Sequence, residues 1–144
     1  MKLEQIPVRV TGRPSELTDA ILMEIAELLE RLVDEGINGA IDLRSLPMSD
    51  EDRACLEERL GFGEVSATLD VAGPTEILET AYTGVWWIRH LDGKGRVTAE
   101  QIAVTRVPDI LISPPEDMRN AAARLIAEMK PAAAKRNEEE APHV

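Results

Sequence analysis

The sequence predicts an α+β fold: an antiparallel or mixed sheet of about four strands, with three helices packed mainly on one face. Three observations predict it. Apolar residues recur at helical spacing in the first part of the chain, and from Glu64 the period switches to strict alternation. The extended runs then follow one another through short Gly- and Pro-containing connections instead of alternating with helices, which excludes a series of βαβ units. One domain is expected over 15–130, between an N-terminal segment, 1–14, and a mobile tail, 131–144.

Ile6, Val8 and Val10 alternate weakly, and Pro7 removes a donor, so an edge strand is expected there. Ser15 is placed as the N-cap of a first helix, with Glu16 and Asp19 in the turn where the helix dipole favours acids and Gly36 at the stop. Leu17, Ile21, Ile25, Leu28 and Leu32 form its apolar stripe, which Leu29 and Val33 widen; Asp19, Glu24, Glu27, Glu30 and Asp34 fall largely outside. Ala40–Leu43 is a short strand. Ser49 caps a second helix that opens on Asp50, Glu51 and Asp52 and stops at Gly61. Val65, Ala67, Leu69 and Val71 alternate with Glu64, Ser66, Thr68 and Asp70, and Gly73-Pro74 turns this strand into a second run, Thr75–Tyr82. Val85–Leu91, the Asp92-Gly93-Lys94-Gly95 turn and Ile102–Val107 make a second hairpin. A last helix from about Glu116 presents Met118, Ala122, Leu125, Ile126 and Met129, with Pro131 as its expected end.

The charge narrows the partners. With 27 acids against 16 Lys and Arg the chain carries −11, which argues against nucleic acid or an anionic membrane surface as its main partner. The acids are concentrated: sixteen against seven bases in Met1–Asp70, but eleven against nine in Val71–Val144. An amphipathic or basic peptide suits that surface. At 3% aromatic residues there is almost no material for stacking bases. One cysteine, Cys55, cannot form an internal disulfide or a thiolate cluster, and no apolar run is long enough to span a bilayer, so the chain reads as soluble and cytoplasmic.

Reactive chemistry has few candidates. His90 and Asp92 could supply two metal ligands where a site needs more, and a surface histidine beside a turn is the ordinary reading. Cys55 lies at the border of the second helix's apolar stripe as a small filler, without a local signature of a nucleophile. Glu76 and Glu79 point to opposite faces of a strand and cannot flank one bond. Gly61-Phe62-Gly63 precedes a strand, the wrong setting for a phosphate loop. The adjacent Trp86 and Trp87 also face opposite ways. Two readings follow: one indole anchors the core while the other is shielded by a loop or a second copy, or that second indole is a partner-binding surface.

The segments Gly63–Leu69, Gly73–Ile77 and Glu79–His90, the last containing Gly-Val-Trp-Trp-Ile-Arg-His, resemble the C-terminal unit of the hydrogenase expression/formation proteins of the HupH/HyaF type. Ile41–Pro47 and Leu56–Gly61 look like the upstream part of the same unit. The resemblance implies a non-enzymatic accessory protein for maturation of a nickel–iron uptake hydrogenase, acting like a chaperone on the small, iron–sulfur-bearing subunit before export. It implies two partners: the small-subunit precursor, whose export signal carries paired arginines, and a thioredoxin-like accessory protein. It carries over no catalytic residue and no cofactor. Partner contact is expected at Tyr82, Trp86, Trp87, Arg89 and His90, with Glu24 and Glu27 in an acidic rim. The rival readings are a metal or iron–sulfur delivery factor and a homodimeric structural or regulatory module.

Overall fold

In the computed structural model the described residues are 14–70 and 72–140, with side chains described over 16–70 and 72–130. The expected strand at Ile6–Val10 therefore lies outside them. The chain divides into two compact units, Met1–Pro108 and Asp109–Val144, where the sequence suggests one domain over 15–130.

In the first unit, helix α1 is Pro14–Glu35, strand β1 is Gly39–Asp42, helix α2 is Asp50–Leu60, and strands β2 to β5 are Ser66–Asp70, Pro74–Glu79, Val85–Leu91 and Val97–Val104. Helix α1 starts one residue ahead of Ser15, at a proline whose fixed φ suits a first turn. Gly36 ends it at φ 72°, returning its N–H to the Leu32 carbonyl. Ser49 caps α2 as expected: its hydroxyl accepts from Asp52 N–H, and the Asp52 carboxylate accepts from Ser49 N–H, both at 3.0 Å.

All pairings in the sheet are antiparallel, in the order β1-β5-β4-β3-β2. The two hairpins read from sequence are β2–β3 and β4–β5. The fifth strand is β1, which joins by pairing Ile41 with Ile102 at an edge. Register then decides the layers. Ile41, Ile102, Trp87 and Leu78 stand in one cross-strand row, and Ile21, Ile25, Leu56 and Leu60 from the two helices join this side's core. The opposite row pairs Gln101, Ile88, Ile77 and Ala67, with Ile88 and Ile77 buried. Each fully buried aliphatic side chain contributes about 1.5–3 kcal/mol relative to exposure. Gly39 permits the helix–strand approach, since a Cβ there would lie 2.8 Å from Leu28 Cδ2.

The second unit contains a 3₁₀ turn, Asp109–Leu111, and helix α3, Pro115–Glu140. Met118, Leu125, Ile126 and Met129 line up along α3 at helical spacing. The helix does not stop at Pro131, its expected end, but runs on to Glu140, within the segment expected from sequence as a tail. Alanines and charged helix formers on both sides of Pro131 favour helix there. Among the described residues no helix is long and apolar enough to cross a membrane.

Candidate functional site

The tryptophan pair, which the sequence suggested as a docking surface, is interior on both sides of β4. Trp86 is 7% exposed and Trp87 2% exposed. Trp87 packs beneath α1 and α2, and its indole N–H donates to Glu100 Oε2 at 2.7 Å. Trp86, on the other face, donates to the Thr105 carbonyl at 3.1 Å. The expectation that one indole is free for a partner is therefore overturned, because both rings are buried and each N–H already has an acceptor within the fold.

Arg89 and His90 are also tied to the fold. Glu100 is a buried carboxylate that accepts from Trp87, from Arg89 Nε at 3.1 Å and from Arg53. Arg89 reaches Glu76 at 3.4 Å and Glu57 at 3.7 Å, and lies over the Trp87 ring. Every acceptor oxygen of the buried carboxylate thus meets a donor, as its burial demands. His90 Nδ1 bonds the Thr75 hydroxyl. Asp92 accepts from the backbone N–H of Arg96 and of Lys94, and these bonds hold its carboxyl below the usual range. His90 and Asp92 are thus a strand residue and a turn acid.

Tyr82 has a different setting. It sits 54% exposed in the turn between β3 and β4. Buried Thr80 organises this turn: its hydroxyl accepts from Tyr82 N–H at 3.1 Å and donates to the Val85 carbonyl at 2.9 Å. Ala81 N–H bonds the Leu60 carbonyl, which fastens the turn to the end of α2. Gly84, at φ 91°, lets the turn approach α1; a Cβ there would lie 3.2 Å from Leu29 Cδ2. The result is a groove of about 230 Å³ lined by Leu22, Ile25, Ala26, Leu29, Leu60 and Tyr82, with Arg59 on its wall.

The exposed side of α1 next to the groove carries Asp19, Met23, Ala26, Glu30 and Val33, at steps of four, three, four and three. Met23 is 62% and Val33 81% exposed. Asp19 pairs with Arg59 at 3.3 Å. Glu24 and Glu27 are exposed on α1 as well, but at 100° per residue they stand about 140–200° around the helix from Leu22. They lie away from the groove, and the acids beside it are Asp19 and Glu30.

Residues 17–132 match the family model of the HupH hydrogenase expression protein, C-terminal conserved region. The chain belongs to this HupH family. A solved structure of hydrogenase expression protein HupH from Thiobacillus denitrificans superposes with a TM-score of 0.77 at 41% identity, covering 81% of this chain and 97% of that one. The chain is 31% identical to the hydrogenase expression/formation protein HoxQ of Azotobacter vinelandii over 73% of its own length and 38% of the relative's. It is 30% identical to HupH of Rhizobium leguminosarum bv. viciae over 73% of its length and 37% of the relative's. The chain thus spans well under half the length of these curated relatives. In this HupH-family chain, the Gly84–His90 string that carries the resemblance forms the central strand of the sheet and, through Trp87 and Arg89, part of the Glu100 network.

Of the partner-contact residues expected from sequence, only Tyr82 lines the groove. Leu22, Ile25, Ala26, Leu29, Arg59 and Leu60 were not expected there. For the residues on α1 a signal existed: Leu22, Met23 and Ala26 extend its apolar sector beyond the core-facing stripe, wider than one layer of contacts needs.

Proposed function

We propose that this chain is a non-enzymatic accessory protein in the maturation of a nickel–iron hydrogenase, and that it works by holding the precursor of the small subunit. The single observation that carries the binding reading is the open apolar groove at Tyr82, in a chain of the hydrogenase expression family; the adjoining exposed side of α1 carries Asp19, paired with Arg59, and Glu30. Apolar surface of this kind, rimmed by charge, marks protein contact. The ionisable cluster elsewhere in the unit, around Glu100, is occupied by internal ion pairs and hydrogen bonds and supports the fold instead of a reaction.

The test uses the purified full chain and the small-subunit precursor, with and without its export segment, in size-exclusion co-elution and titration calorimetry. A saturable complex with the precursor is the expected result. Failure to retain either form at low salt overturns the proposal.

A further inference from the structure

We infer that the Tyr82 groove receives an amphipathic helix of a partner polypeptide, seating its aliphatic side chains against Leu22, Leu29 and Leu60 while basic residues of the same helix meet Asp19 and Glu30. This rests on the reading that the chain works by binding a polypeptide, and it specifies what the bound segment looks like.

Size excludes the commoner alternative. A groove of about 230 Å³ falls below the range of roughly 300–1,000 Å³ typical of small-molecule sites, yet holds one or two aliphatic side chains. Its walls are two helices and a turn, with no strand edge that an extended peptide could join. The neighbouring ridge, Asp19–Met23–Ala26–Glu30–Val33, has the step pattern that interdigitates with another helix, and the small Ala26 at its middle allows close approach of a second backbone. Two large apolar side chains, Met23 and Val33, stand in solvent along this ridge. The charge selects the helix. Residues 14–60 contain thirteen acids and four bases, and one of those bases, Arg59, is paired with Asp19 at the groove. A basic helix is attracted here and an acidic one repelled.

The probes are three fluorescein-labelled peptides of about 18 residues, long enough to form helix. One is an amphipathic Leu/Lys helix, one replaces Lys by Glu, and one scrambles the first so that it has no apolar face. Anisotropy is read with the full chain, with Ala26→Arg, and with the Asp19→Asn/Glu30→Gln double variant. All of these changes are at exposed positions, and unchanged thermal melts check that the variants fold. The Leu/Lys peptide is expected to bind at least about ten-fold more tightly than either control, and Ala26→Arg to weaken it about ten-fold. The double variant is expected to flatten the loss of affinity between about 0.05 and 0.5 M salt. Equal binding of the Leu/Glu peptide, or indifference to Ala26→Arg, overturns the inference. Precursor retention that survives Ala26→Arg leaves the proposed function standing and removes the groove as its site. Peptide binding with the expected pattern, in a chain that does not retain the precursor, does the reverse.

Discussion

Trp86 and Trp87 show how one strand can bury two neighbours that face opposite ways. Each indole fills one side of the sheet and each N–H has an acceptor, so truncating either removes packing and a hydrogen bond. Trp86→Ala and Trp87→Ala are each expected to cost about 3–5 kcal/mol in urea unfolding. Near-neutral stability in either variant would contradict the placement described here. Glu100→Ala is expected to cost about 2–3 kcal/mol, because Trp87, Arg89 and Arg53 lose their shared acceptor while both guanidinium groups still reach water. Tyr82→Ala contrasts with all three: stability should move by less than about 0.5 kcal/mol while precursor retention weakens, since the ring is half exposed and the turn is held by Thr80.

At the scale of elements, turns and caps carry stability that can be tested by contrast. Gly73 sits at φ 113°, and a Cβ there would lie 2.5 Å from the Leu91 carbonyl oxygen, whereas a Cβ on Gly93 meets nothing. Gly73→Ala should therefore destabilise by more than about 1 kcal/mol, and Gly93→Ala should leave the urea midpoint nearly unchanged. Ser49→Ala removes half of a capping box and is expected to cost about 1 kcal/mol. These local devices were legible in the sequence because each is written within a few residues: Ser49 before three acids, Gly73-Pro74, and the alternation around Leu69. The burial of both indoles was not, because alternation at Trp86 and Trp87 says that the side chains diverge and nothing about what meets them. The groove escaped for the same reason. Leu22 and Tyr82 are sixty residues apart in sequence and line one groove only because Thr80, Ala81 and Gly84 pin the turn between the end of α2 and the side of α1. Pro131 misled in the opposite sense, since a residue that usually stops a helix lies within one whose neighbours favour continuation.

The charge of the whole molecule acts on its encounters more than on its fold. At −11, with the excess in Met1–Asp70, association with a basic segment should slow and weaken as salt rises past about 0.15 M, where exposed charges are screened beyond about 8 Å. Stopped-flow association rates of the precursor at graded ionic strength would show it, and a rate indifferent to salt would place the contact outside the acidic half of the chain. The burial of both indoles also sets what light can report about this protein. Ultraviolet emission excited at the red edge of the absorption band comes from two chromophores locked in the interior, so it should be blue-shifted, change abruptly on denaturation and hardly respond to a docked helix. An optical assay of complex formation needs an added dye, at the rim or on the partner, because the two tryptophans monitor only whether the sheet is intact.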